Sequence, residues 1–79
     1  MAKKVIVYSS NFCPWCDKAK EFLNENNVEF EERNVQENPD YGKEMQEKTG
    51  QLGVPVIDID GKIIIGFNVG ALKEALGLE

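Results

Sequence analysis

The chain has 79 residues, of which 42% are hydrophobic and 29% charged, with a formal net charge of −5 and no histidine. This length suits a single domain over residues 1–79, and a fold this small buries only about 60–65% of its unfolded surface. The acidic balance argues against nucleic-acid and anionic-membrane partners. Without histidine there is no Cys–His nucleophile, no His-ligated metal and no imidazole base.

No apolar run approaches the roughly 18 residues of a membrane span, and Met1-Ala2-Lys3-Lys4 leads straight into a strand rather than a signal-type segment. The chain therefore reads as cytoplasmic; separately, a monomer is expected. In that compartment thiols are kept reduced, so a lone cysteine pair points to function rather than to a structural staple.

Lys3 to Tyr8 is a β-branched run without clear alternation, as expected of a strand covered on both faces. The polar bend Ser9-Ser10-Asn11 follows, then Phe12 and the motif Cys13-Pro14-Trp15-Cys16. A helix is predicted over 14–26, with Cys16, Ala19, Phe22 and Leu23 on its inner face. Asn26-Asn27 stops it, because Asn tolerates a left-handed conformation. Residues 28–35 read as a strand near an edge, with Val28 and Phe30 on one side and Glu29 and Glu31 on the other.

Asn38-Pro39 supplies an N-cap and a first-turn proline for a helix from Pro39 to Lys48, ended by Gly50, with Tyr41 and Met45 as its inward pair. After the Gln51-Leu52-Gly53 loop, Val54 to Ile59 is a third strand. Asp60-Gly61 is a type I′ hairpin turn, and Lys62 to Ile65 is the fourth strand. Gly66-Phe67-Asn68 bends into a last helix over Val69–Leu76, capped by Asn68 and stopped by Gly77. The order is β-α-β-α-β-β-α. The first two units are expected to run parallel with right-handed crossovers, and a terminal hairpin to complete a four-stranded mixed sheet with helices on both faces.

A Cys-x-x-Cys between a strand and a helix is the context in which the motif is redox-active. The first helical turn has unpaired N–H groups and the positive end of the helix dipole. A sulfur there is favoured as thiolate, below the roughly 8.5 of a free thiol. Pro14 suits the first helical position, which makes Cys13 the N-cap and the attacking thiol. Cys16, three residues on and turned inward, is the resolving thiol. Tetrahedral zinc needs four ligands, usually Cys or His, and the chain offers two. As a staple the pair would close too small a loop to stabilise much. Trp15 reads as an exposed apolar platform for a partner protein, with Phe12 beside it. Lys18 and Lys20 lie on a polar helix face, where lysines are ordinarily just solvated.

With these residues placed, the chain resembles the glutaredoxins, and more narrowly the small NrdH-type redoxins, over essentially its whole length. The resemblance rests on Tyr8-Ser9, Cys13-Pro14-Trp15-Cys16, Val54-Pro55 and Gly66-Phe67-Asn68. It implies a thioredoxin fold, dithiol–disulfide exchange without a bound cofactor, and a cis proline at Pro55. Val54 and Pro55 would then align an extended substrate backbone, while Phe12, Pro14, Trp15, Gly66, Phe67 and Asn68 shape the surface around the thiols. Glutathione-using members tend to have a basic residue before the motif, where this chain has Ser10-Asn11. They also tend to have Gly-Gly and then an acidic residue before the last helix, where it has Gly66-Phe67-Asn68.

The resemblance implies a disulfide-containing protein as substrate, ribonucleotide reductase among the candidates, with electrons from thioredoxin reductase. Glutathione as reductant is the alternative within the family. In a different class, Cys13 would ligate an iron–sulfur cluster across a dimer, or the fold would serve as a non-catalytic interaction module.

Overall fold

The computed structural model describes residues 4–51, 53 and 55–77. The molecule is built outward from β1 (Val5–Ser9), all five residues of which are buried. Successive side chains of a strand point to opposite faces, and β1 is apolar on both. Val5 and Val7 enter one core with Ala19, Leu23, Ile57, Ile59, Ile64, Leu72 and Ala75. Ile6 and Tyr8 enter a second with Met45 and Val56.

The first core lies beneath α1 (Pro14–Glu25) and α3 (Val69–Leu76), the second beneath α2 (Pro39–Thr49). Leu23, Met45, Ile57 and Leu72 are fully buried or nearly so, and burying a side chain of this size stabilises by about 1.5–3 kcal/mol. Helices cover both faces of the sheet, as expected. Met45 is the buried anchor of α2. Tyr41, expected to point inward with it, is only half-buried, and the Arg33 guanidinium lies 5.5 Å from its ring centre.

The sheet is completed by β2 (Glu31–Asn34), β3 (Val56–Ile59) and β4 (Lys62–Ile65), in the order β2-β1-β3-β4. Strands β1 and β2 are parallel, with Ser9 opposite Asn34. The second unit departs from expectation: β3 runs antiparallel to β1, with Tyr8 opposite Val56. The chain leaving α2 enters on the far side of β1 rather than beyond β2, and there it returns antiparallel. Strand β4 closes the hairpin, with Val56 opposite Ile65. Its turn residues Asp60 and Gly61 both have positive φ, 52° and 95°, as a type I′ turn requires.

Strand β2 is shorter than the predicted 28–35, for a local reason. Asn27 takes the left-handed conformation (φ 57°) and its N–H donates to the Asn24 carbonyl at 3.1 Å. The Val28 N–H donates to the Leu23 carbonyl at 2.9 Å. This paired closure uses up the start of the segment as a helix stop. Val28 and Phe30 still pack against the first core, from a loop. Strand β3 begins at Val56, and Val54 lies outside the described residues.

The α2 face also carries a polar network. The Tyr8 hydroxyl donates to Glu44, which also accepts from Arg33. Lys48 Nζ donates to the Tyr8 hydroxyl at 2.8 Å and to Asp58 at 2.7 Å. Asp58 is buried and so has to be paired; its other oxygen accepts the Gly61 N–H at 2.8 Å.

Candidate active site

Cys13 is the N-cap of α1. Its backbone is extended (φ −138°, ψ 92°), and Pro14 follows in the first turn. Its Sγ accepts the Cys16 N–H at 3.1 Å, taking up one of the donors that a helix start leaves unpaired. The cysteines are joined as a disulfide with Cα atoms 5.2 Å apart. They are not equivalent: Cys16 is completely buried against the sheet side of α1, whereas Cys13 retains 9% exposure.

The sheet brings the other predicted residues to the same end. Pro55 is buried and precedes Val56, which pairs with Tyr8 at the end of β1. Gly66 follows Ile65, on the other side of Val56, and its N–H donates to the Pro55 carbonyl at 2.8 Å. Gly66 has φ 80°, a left-handed turn that carries the chain from β4 toward α1. Phe67 then lies with its ring centre 6.2 Å from Trp15 and, edge-on, 6.2 Å from Phe22. Phe67, Gly66 and Pro55 thus form a continuous connection from the cysteine helix to the third strand.

The remaining predicted residues are less tightly gathered. Trp15 is 58% exposed and Phe12 94%, and Phe12 meets no aromatic ring among the described residues. Asn68 caps α3, its Oδ1 accepting the Ala71 N–H at 3.1 Å. Val54, and with it the Val54–Pro55 peptide, lies outside the described residues.

The two lysines of α1 are engaged away from the sulfurs. Lys20 bridges to Glu32 at 2.7 Å and Asp17 at 3.6 Å, and the Glu32 hydrogen bond raises its pKa. Lys18 Nζ is 6.0 Å from the Trp15 ring centre. The helix start itself gives Cys13 a positive environment. Among the described residues no three His, Cys, Asp or Glu side chains are grouped to hold a metal ion, and no helix is long and apolar enough to cross a membrane.

The sequence reading missed the clamp on the bend before Cys13. The Asn11 N–H donates to Gln36 Oε1 at 2.6 Å, and Asn34 Nδ2 donates to Asn11 Oδ1 at 2.8 Å. Asn34 Oδ1 meanwhile accepts the N–H groups of Gln36 and Glu37. The only available signal was polar residues after each of two strands. They meet because β1–β2 pairing sets Ser9 beside Asn34.

An N-cap cysteine with its partner buried one turn on, and Pro55 leading into β3 at the same sheet end, are set in the thioredoxin-like fold that the resemblance implied. Sequence comparison agrees: the glutaredoxin profile matches residues 5–64. The chain belongs to the glutaredoxin family. It is 48% identical over 70 residues to an uncharacterised glutaredoxin-like 8.6 kDa protein in the rubredoxin operon of Clostridium pasteurianum, covering 89% of this chain and 93% of that one. It is 35% identical over 70 residues to the glutaredoxin-like protein NrdH of Lactococcus lactis, covering 89% and 96%. Among solved structures, the thioredoxin-like protein BC3987 superposes with a TM-score of 0.86 at 32% identity, over 91% of this chain and 99% of that one. The fold is thus thioredoxin-like, and this glutaredoxin-family chain is a redox protein with its cysteine pair at disulfide distance.

Proposed function

We propose that this glutaredoxin-family protein is a dithiol–disulfide oxidoreductase that reduces protein disulfides, recharged by thioredoxin reductase. The observation that carries the reading is the asymmetry of the pair, with Cys13 at the helix start keeping 9% exposure and Cys16 fully buried behind it. In the reduced protein the Cys16 N–H and the helix dipole favour Cys13 as thiolate. The thiolate attacks one sulfur of the substrate disulfide, and the other leaves as a thiolate that takes up a proton. Cys16 then loses its proton and attacks Cys13 Sγ, displacing the second substrate thiolate. Two electrons have passed to the substrate, and Cys13–Cys16 is left as the disulfide. No cofactor is needed for either step.

Val54 and Pro55 are proposed to align the substrate backbone, and Phe12, Pro14, Trp15, Gly66, Phe67 and Asn68 to form the surface against which it rests. Phe67 supports thioredoxin reductase as donor over glutathione. Its ring lies 6.2 Å from those of both Trp15 and Phe22, at the position where glutathione-using members tend to have a second glycine. Similarity to an NrdH protein keeps ribonucleotide reductase among the candidate substrates.

The test is NADPH oxidation during reduction of a small disulfide, driven in one arm by thioredoxin reductase and in the other by glutathione with glutathione reductase. Turnover confined to the first arm is expected. Turnover confined to the second would overturn the donor assignment, and silence in both would overturn the redox function.

A further inference from the structure

Beside the aromatic contact of Trp15 and Phe67, α1 and the turn before α3 form an open groove of about 190 Å³ lined by Lys18, Glu21, Phe22, Glu25 and Phe67. This is below the roughly 300–1,000 Å³ of pockets that take small molecules. It has room for one long side chain. Phe22 and Phe67 give it an apolar floor, in contact with each other edge to face.

The charges on its rim are placed at a cost to the helix. Glu21 and Glu25 are four apart on α1, a spacing at which like charges repel. Glu25 is the last residue of α1, whose last turn has no basic residue, so its carboxylate also opposes the negative end of the helix dipole. Asp17, Glu31, Glu32, Glu44, Asp58 and Glu74 all have lysine or arginine partners. Glu21 and Glu25 have none among the described residues; the same holds for Glu29, Glu37, Asp40, Glu47 and Asp60, but of these unpaired carboxylates Glu21 and Glu25 are the two that line the groove. Lys18, the groove's own cation, forms no ion pair with either and is drawn toward Trp15. A cation lying between Glu21 and Glu25 would relieve both penalties.

We propose that this groove receives an arginine or lysine side chain of the disulfide-bearing partner polypeptide. The aliphatic stem lies along Phe22 and Phe67 while the charge reaches Glu21 and Glu25, as long cationic side chains do when they cover apolar surface. Over the ring faces a guanidinium also gains a cation–π attraction. The groove begins at Phe67, next to the exposed Trp15, so a chain whose disulfide is at Cys13 can extend into it. This inference rests on the disulfide-exchange reading and adds a selection among protein substrates.

The experiment uses the reduced full chain and synthetic peptides, each closed by one internal disulfide. A single Arg is walked through the positions flanking that disulfide, and a matched set carries Glu instead. Rates of peptide reduction are followed by chromatography. At one or two positions the Arg peptide is expected to react about two- to fivefold faster than its Glu counterpart, the range open to exposed ion pairs, and the ratio should fall as salt is added.

Glu21 and Glu25 are exposed, so E21K/E25K is expected to fold and to bring the ratio to one or below. No Arg preference at any position, or one unchanged in E21K/E25K, would overturn the proposal. So would a Glu preference lost in K18E, which would assign the groove to an acidic residue instead. Reduction of 2-hydroxyethyl disulfide by the unaltered protein separates the two claims, since its absence would overturn the exchange reading itself.

Discussion

The rings of Trp15 and Phe67 lie 6.2 Å apart, inclined at 33°, and this contact joins the first turn of the cysteine helix to the turn before the last. Phe67 also meets Phe22 edge-on, with ring centres 6.2 Å apart. An aromatic side chain from the turn before α3 is thereby packed beside Trp15, the residue between the two cysteines.

If Phe67 excludes glutathione by its place beside Trp15, F67G should raise the glutathione-driven rate of disulfide reduction by about tenfold or more while the thioredoxin-reductase-driven rate falls. Losing the two ring contacts should also destabilise the fold by about 3 kcal/mol, the lower end for removing a packed aromatic. Coupled NADPH assays and a denaturant titration check both. A glutathione rate unmoved by the change would show that Phe67 is not the obstacle.

Gly66 links the proline-led strand to this aromatic contact through its N–H bond to Pro55. A Cβ at Gly66 would meet no atom within 4 Å, but the φ of +80° disfavours any side chain. G66A should therefore destabilise by about 1–2 kcal/mol, and G66N by less because Asn tolerates that conformation. Equal losses for the two would place the penalty elsewhere.

The ion pairs on both sheet faces set the pH range of stability. The Tyr8 hydroxyl, ahead of Arg33 and Lys48, holds the Glu44 carboxyl below its ordinary 4.5, and Lys20 with Ser9 does the same for Glu32. A carboxylate lowered in this way contributes stability above the unfolded value that is lost as pH falls through the folded one. At the alkaline end, burial and the Glu44 hydrogen bond raise Tyr8 above 10.0. Burial pulls Lys48 down, but Asp58 and the Tyr8 hydroxyl outweigh it and leave it raised above 10.5. Both groups bind their protons more tightly when folded, so their contribution is full below the unfolded values and is lost above them. The melting temperature should be level from about pH 5 to about pH 9.5 and fall on either side. E32Q should flatten the acid limb, and a Tm level down to about pH 3 would contradict the assignment.

Much of this molecule could be read from local signals. Asn38-Pro39, Asn68 and Gly77 marked helix ends because capping is a property of a few adjacent residues. The motif Cys13-Pro14-Trp15-Cys16 fixed its own position at a helix start for the same reason. Pairwise encounters between distant segments were not legible. The direction of β3 depends on which side of β1 the chain re-enters, and nothing in residues 50–56 encodes that. Tyr41 and Met45 share a helix face, yet Met45 enters the core while Tyr41 stays half-buried beside Arg33, a neighbour that only the tertiary fold supplies. The Asn11–Asn34–Gln36 clamp likewise exists only once β1 and β2 are in register. The unpaired charge of Glu21 and Glu25 reads as an ordinary solvated face until Phe67 is seen beside them.

The proposed exchange divides labour between Cys13, at the helix start with 9% of its surface exposed, and the fully buried Cys16. The most direct measurement is intact-protein mass spectrometry of C16S and C13S after incubation with an oxidised disulfide peptide. C16S should accumulate a covalent adduct of one peptide on Cys13 that persists until a thiol is added, and C13S should remain unmodified. Both variants should lose dithiol turnover by about a hundredfold or more, since neither can complete the exchange. An adduct on Cys16 in C13S, or turnover in either variant equal to that of the unaltered protein, would contradict it.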